Sequence, residues 1–437
     1  MEDASLKSFL EKVGYRVVDR TLSREYEVAR LIAETQGCGP PLLARIEGVR
    51  QPVAVNVVDT REKLYKALGV TGDSEAYAKI VDSTMRPGRL EYVDKPPLDE
   101  MPEGFEGLPA ARFYEGEAGL YLSSGIVIAC YEGVCNASIH RLLILGRERA
   151  AIRIVPRHLW HLYRKARERG EDLPATVVVG LHPAVLLAAA TSPPLGVFEL
   201  GLAAGMLGGS MKVYRSPVHG NPVPLGAAMV ADVWITGEQV EEGPYVDALL
   251  TYDRVRRQPV VRLEAAYIKE GEYTHTIMGG SLEHVNLMGF PREASIWEAV
   301  RRALPRVRAV RLTPASGGWL HAVIAVEKQH EGDGKTAIMA AFAAHPSLKH
   351  VVVVDSDVDV DDPMQVEWAI ATRFQADKDL VIIPRARGST LDPSAADGLT
   401  AKMGLDATKP LDAGMGYERG RIPGFKWGSR RCHQPGD

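Results

Sequence analysis

The hydrophobic period changes twice along this chain of 437 residues, which rules out a fold built around a single type of layer. Up to about residue 93, helix and strand patterns alternate. Leu6, Phe9, Leu10 and Val13 recur at helical spacing, as do Val28, Leu31 and Ile32, while Ala44 to Ile46 and Val53 to Val58 read as strands. The run Asp94 to Gly107, with Pro96, Pro97 and Pro102 inside it and Pro109 close by, breaks both periods. From about Ala111 to Gly280 short β-type runs dominate, among them Leu120 to Ser123, Ile126 to Ala129, Leu142 to Leu145, Val230 to Trp234 and Val260 to Glu264. A helix from Pro156 to Gly170 interrupts them, with Pro at its permitted first turn. The last third returns to α/β alternation. Helices are expected over Ala294 to Leu304, from Lys335 and from Pro363, and strands over Val307 to Leu312, His321 to Val326, Val351 to Val354 and Leu380 to Ile383.

These changes predict an α/β and α+β multidomain chain: an N-terminal α/β domain over 1–110, a central antiparallel sheet or barrel with helical insertions over 111–292, and a C-terminal α/β domain over 293–409. A tail over 410–437, rich in Gly, Pro and Arg, has no period and reads as a docking arm or as disorder.

Charge narrows the function. Lys plus Arg number 52 against 56 Asp plus Glu, a net −4 without the basic footprint of a nucleic-acid or anionic-membrane binder. Apolar stretches such as Gly180 to Ala190 fall far short of the roughly 18 residues that span a bilayer, and the Met-Glu-Asp start lacks a basic region followed by an apolar one. A soluble cytoplasmic protein without a secretory leader is the expectation. Cys38, Cys130, Cys135 and Cys432 have no CxxC spacing, which predicts neither a disulfide framework nor a zinc knuckle. Asn is scarce while Arg, Glu, Val and Pro are plentiful, a bias that fits a heat-adapted chain.

Several familiar motifs fail on inspection. Gly332-Asp333-Gly334-Lys335-Thr336 resembles a phosphate loop, but Gln329 stands where the first Gly is required, so a helix N-terminus is the better reading. Asp355, Asp357 and Asp359 resemble a calcium loop, yet Val360 replaces its Gly and Val366 its bidentate Glu. A turn capping the helix from Pro363 accounts for them more simply. No GxGxxG follows a strand, and neither HExxH nor GxSxG occurs.

Two groups could carry chemistry. Asn136, His158 and Glu199 offer a mixed oxygen and nitrogen set for Mn²⁺ or Mg²⁺, although an Asn in a turn, a His at a helix start and a Glu on a helix are commonplace structural residues as well. Glu242 and Asp247 flank a Gly-Pro turn that would let both project into one cleft as an acid/base pair; an acidic surface turn is the alternative.

Taken in order, these residues resemble the UbiD-type decarboxylases. The family's N-x-x-x-Y/H-R element is matched by Asn136 to Arg141, its metal-binding His and Glu by His158 and Glu199, and its EGP-aromatic-x-D/E element by Glu242 to Asp247. Its late signature S-K-M-G-[LI]-D-A-T is matched by Ala401 to Thr408, with Ala in place of the first Ser. His140 stands where many members carry Tyr.

The resemblance implies a central split β-barrel that binds prenylated FMN, and a C-terminal α/β domain that assembles the chain into a homo-oligomer, a dimer or a hexamer. It implies that Asn136, His158 and Glu199 hold Mn²⁺, with K⁺ as a second ion, and that Ile139, His140, Arg141, Arg157 and Lys402 contact the cofactor. It assigns Arg141, Glu242 and Asp247 to an ion-pair relay in which Asp247 is the proton donor. The substrate class is an unsaturated carboxylic acid, and a separate flavin prenyltransferase must supply the cofactor. The compact length and composition are most similar to the family's archaeal branch, which implies trans-anhydromevalonate 5-phosphate as substrate and isopentenyl phosphate as product. Decarboxylation of an aromatic acid such as a hydroxybenzoate, and a non-catalytic flavin-binding protein with a decayed site, are the competing readings.

Overall fold

The computed structural model describes residues 4–420 and residue 422. Residues 421 and 423–437, with most of the expected tail and Cys432, lie outside the described residues. The chain divides into two compact units, Met1–Leu287 and Met288–Asp437.

In the first unit, helix Leu6–Val13 starts where the Ser5 hydroxyl accepts the Ser8 amide and stops at Gly14, whose φ of 81° an L side chain rarely adopts. Helix Glu27–Thr35 and strands Leu42–Ile46 and Val53–Val55 follow, as the periodicity predicts. Strand Arg16–Leu22 completes one side of their sheet, and Thr274–His275, from much later in the chain, completes the other. Arg89–Tyr92 likewise pairs with Ser210–Arg215. The N-terminal stretch therefore shares its sheets with the region that follows it. Helices Arg61–Leu68 and Asp73–Met85 were not foreseen. The first begins at a Thr60 cap and ends at left-handed Gly69, but only part of its length is apolar.

The centre of this unit is a nine-stranded antiparallel sheet. Its path runs Tyr121–Leu122, Leu142–Gly146, Arg149–Ile152, Arg256–Ile268, Met229–Glu242, Leu173–Val179, Ile126–Tyr131 and Val134–Ile139, with Asp99–Glu100 added to Arg256–Ile268. Among the described residues no ladder joins the two ends of the path, so a closed barrel is not shown. Met229–Glu242 and Arg256–Ile268 are far longer than the short apolar runs in the sequence, because each continues past its buried half as polar, partly exposed strand. Where Met229–Glu242 ends, it delivers Glu242.

One face of the sheet buries Val127, Ala129, Leu142, Ile152, Val177, Val179, Val233, Ile235 and Val261 against helix His158–Glu168. That helix contributes Leu159, Leu162, Tyr163 and Ala166, three or four residues apart, so one stripe faces the sheet. Each fully buried Leu or Val stabilises by roughly 1.5–3 kcal/mol relative to exposure. This contact fixes the N-terminus of the helix, where His158 sits. Helices Pro183–Thr191 and Glu199–Met206 are apolar almost all round and buried almost throughout. Glu199, 2% exposed, opens the second of them.

The hairpin Ile126–Tyr131/Val134–Ile139 corrects the cysteine reading. Cys130 and Cys135 are directly paired across it and form a disulfide, and Cys38 is disulfide-bonded too. A separation of five residues carries no CxxC signal, but a tight hairpin brings such a pair face to face.

The second unit holds a five-stranded sheet in the order Val307–Leu312, His321–Val326, His350–Asp355, Leu399–Ala407, Leu380–Arg387, parallel in its middle and antiparallel at both edges. Most strands and helices fall where expected, but the helix expected from Ala294 begins already at Leu282, ahead of the unit's first residue, and runs through Pro291 to Ala303. The unforeseen strand Leu399–Ala407 carries the late signature, and a Cβ at its Gly404 would collide with Ile338 of helix Asp333–Ala344. That helix starts at Gly332, so the phosphate-loop look-alike is a helix N-terminus. Asp362 caps helix Pro363–Arg373, and Arg373 pairs with Asp355 and Asp357.

Candidate active site

Strand Val134–Ile139 places Asn136 and Ala137 beside the N-terminus of helix Glu199–Met206. Asn136 Nδ2 donates to Glu199 Oε1 at 2.8 Å and the Ala137 amide donates to Oε2 at 2.8 Å. His158 Nδ1 lies 3.5 Å from Glu199 Oε1. Three elements distant in sequence thus bring the three predicted ligands together.

The proton count around Asn136 shows what the group is suited to hold. His140 Nδ1 faces the Arg153 carbonyl at 2.9 Å, so Nδ1 carries the hydrogen. Burial, helped by the charges of Arg157 and Arg153, pushes the imidazole down to about 4 even though the Arg153 carbonyl favours the charged form. His140 Nε2 is then an acceptor, and the Ser138 hydroxyl 2.8 Å away must supply its hydrogen. The same hydroxyl lies 2.8 Å from Asn136 Oδ1, a second acceptor. One hydrogen faces two acceptors, which leaves Asn136 Oδ1 under-served and fit to face a cation. An amide oxygen, a carboxylate and an imidazole suit a hard to borderline divalent ion such as Mn²⁺ or Mg²⁺. Among the described residues no group of three His, Cys, Asp or Glu side chains could hold a metal.

The second cluster centres on Arg141, whose side chain is 8% exposed. Its Nε and Nη2 donate to the two oxygens of Glu242 at 2.9 and 3.0 Å, and Nη1 donates to Asp247 Oδ2 at 3.0 Å. The Tyr245 ring lies under the guanidinium, 4.4 Å from centroid to Cζ. Burial would lower the Arg141 pKa, but hydrogen bonds and charge from Glu242, with the charge of Asp247, raise it above its ordinary value. Arg141 stays a cation throughout. Glu242 is fully buried, whereas Asp247 keeps 21% of its side chain exposed.

One member of this cluster was missed. Asp253 Oδ2 accepts from Arg141 Nη2 at 2.9 Å, its other oxygen accepts from Arg256, and Arg153 Nε approaches within 3.7 Å. Only the hairpin pairing of Tyr245–Val246 with Tyr252–Asp253 brings it there. Its one sequence signal was a carboxylate six residues after Asp247, ahead of an Arg-rich run. Arg153 joins the two clusters, through its carbonyl to His140 and its guanidinium to Asp253.

Three predicted residues remain, of which Arg157 is near enough for its charge to lower the His140 pKa. Ile139 is half-buried on the same strand as Asn136, and Arg157 is exposed at the start of the His158 helix. Lys402 lies in the second unit, where its ammonium donates to the carbonyls of Pro346 and Leu348.

Family models cover nearly the whole chain: the 3-octaprenyl-4-hydroxybenzoate carboxy-lyase N-terminal domain over 8–84, its Rift-related domain over 94–282 and its C-terminal domain over 285–407. The chain belongs to the UbiD family. An anhydromevalonate phosphate decarboxylase of Methanothermobacter thermautotrophicus is 40% identical over 95% of this chain and 99% of its own. One from Archaeoglobus fulgidus is 42% identical over 90% of each. Among solved structures, the UbiD-class enzyme HmfF from Pelotomaculum thermopropionicum in complex with FMN superposes with a TM-score of 0.90 at 38% identity, covering 96% of this chain and 98% of that one. An evolved dimeric form of HmfF in complex with prFMN gives 0.87 at 35%, over 96% and 97%. The mixed α/β multidomain fold is therefore that of the UbiD-class enzymes, and the chain is a UbiD-family carboxy-lyase. No helix among the described residues is long and apolar enough to cross a membrane.

Proposed function

We propose that this protein removes CO₂ from trans-anhydromevalonate 5-phosphate to give isopentenyl phosphate, using prenylated FMN with Mn²⁺ and K⁺. The observation that carries the reading is the joining of Arg141, Glu242 and Asp247 in one buried ion-pair cluster, in a chain whose archaeal relatives of nearly equal length are anhydromevalonate phosphate decarboxylases.

Loss of CO₂ from an alkenoic acid leaves a carbanion that no side chain here can delocalise, and the flavin supplies that electron sink when bound. Asn136, His158 and Glu199 are the residues that would hold the divalent ion, and Ile139, His140, Arg141, Arg157 and Lys402 are those assigned to the flavin. The chain's own contribution is proton control. Arg141 fixes the Asp247 carboxyl through Nη1 while Glu242 neutralises the guanidinium from its buried side. In this reading Asp247 is the acid that delivers a proton to the carbon vacated by CO₂. His140, held neutral, adds no third cation beside Arg141 and Arg153. Cytoplasmic location, a split-barrel flavin domain, a homo-oligomeric assembly and cofactor supply by a flavin prenyltransferase complete the reading. Its test is a panel of acids offered to the reconstituted enzyme: the phosphorylated alkenoic acid should be consumed and hydroxybenzoates ignored, and turnover of the aromatic acids alone would replace the substrate assignment.

A further inference from the structure

We propose that Asp253 is a positioning residue of the proton relay: gripping Arg141 from the return strand of the Asp247 hairpin, it holds the guanidinium in place and draws part of its charge away from Asp247. The proposal rests on the decarboxylase reading and extends it to a residue outside the sequence motif.

The geometry is specific. Arg141 spends Nε and one Nη2 hydrogen on Glu242, one Nη1 hydrogen on Asp247 and the other Nη2 hydrogen on Asp253. Tyr245 pairs with Asp253 and Val246 with Tyr252, and the Asp247 amide donates to the Thr251 carbonyl, so Asp247 and Asp253 lie on opposite legs of one short hairpin. Arg141 ties both legs together. Asp253 is in turn fixed by Arg256 and approached by Arg153, and with 10% of its side chain exposed it is screened far less than a surface carboxylate. Burial alone would raise its pKa, but the Arg256 hydrogen bond and the Arg141 charge hold it below the ordinary value. It stays an anion while Asp247 exchanges its proton.

A guanidinium shared among three carboxylates acidifies each of them less than one shared between two. The charged and titratable groups facing Asp247 are Arg141, Tyr245 and His284, with Glu117 behind Tyr245 and Val246, and the Ala248 amide donates to its Oδ1. Of these Arg141 is the permanent cation, so removing the Asp253 charge leaves it pulling harder on Asp247. The stronger pull moves the Asp247 proton equilibrium to lower pH in the variant than in the wild type.

The test uses the full-length protein with aspartate ¹³C-labelled at the carboxyl carbon, the Asp247 signal being assigned by its loss in Asp247→Asn. Asp253→Asn should lower the Asp247 midpoint by roughly one pH unit, and Asp253→Glu should restore it. In holoenzyme the descending limb of kcat against pH should move the same way while KM changes less than about threefold, a split that general loss of structure would not give. If Asp253→Asn fails to fold, Asp253→Ser carries the same test. An active wild type whose Asp247 midpoint is unmoved or raised in the charge-removing variant overturns the proposal alone. A wild type that decarboxylates none of the acids offered overturns the underlying reading instead.

Discussion

Arg141 holds Glu242 in a two-pronged grip, Nε to Oε1 at 2.9 Å and Nη2 to Oε2 at 3.0 Å, with the carboxylate fully buried. Lys is a point charge on a flexible stem and cannot reproduce a planar fork serving three carboxylates. Arg141→Lys should therefore lower kcat at least about a hundredfold, since a misplaced general acid loses most of its 10²–10⁴-fold contribution. Arg141→Ala, which leaves Glu242 buried without its partner, should in addition cost about 3–5 kcal/mol in denaturant unfolding.

His140 links stability to pH. Its folded pKa is about 4, against about 6.5 for an unfolded imidazole. Between those values the unfolded chain binds a proton that the folded one refuses, so the contribution is intact above about pH 6.5 and shrinks as the pH falls towards 4. The unfolding midpoint should drop over that window, and His140→Gln should flatten the drop. An imidazole resonance of His140 titrating near pH 6.5 in the folded protein would refute this account of the Ser138–His140–Arg153 chain.

The cation site is testable without turnover. Asn136→Ala and Glu199→Gln should each weaken Mn²⁺ binding by at least the 10–100-fold that even an outer-shell change costs. Electron paramagnetic resonance of free Mn²⁺ in titrations of the flavin-loaded protein measures it. Wild-type affinity in Asn136→Ala would show that the under-served amide oxygen is no ligand.

How much was legible in sequence depended on distance along the chain. Asn136, His158 and Glu199 could be grouped because their residue types and order match a family pattern, although they sit on a strand and two helices. Arg141, Glu242 and Asp247 were recoverable for the same reason. Asp253 was not, because its contact depends on a hairpin whose paired legs are only two residues each, too short for a period to register. Strand Leu399–Ala407 was hidden because its signature reads as a motif, with Lys402, Gly404 and Asp406 interrupting any apolar run. The Cys130–Cys135 bond was missed because spacing rules recognise frameworks and metal knuckles, not a single pair across a turn.

That bond closes the hairpin whose second strand carries Asn136 one residue beyond Cys135. Constraining so short a loop in the unfolded chain is worth about 2 kcal/mol. A Cys130→Ser/Cys135→Ser double variant should lose that much stability in denaturant unfolding and should no longer respond to reductant at this pair. Unchanged stability would show that the ladder alone fixes the strand.

The central claim is that Asp247, held by Arg141, delivers the proton in a decarboxylation. The most direct measurement is to reconstitute the protein with prenylated FMN and Mn²⁺, add trans-anhydromevalonate 5-phosphate, and follow CO₂ and isopentenyl phosphate by mass spectrometry for wild type and Asp247→Asn. The account predicts both products from wild type and none above background from a folded, flavin-loaded Asp247→Asn. Turnover by that variant at the wild-type rate would contradict it.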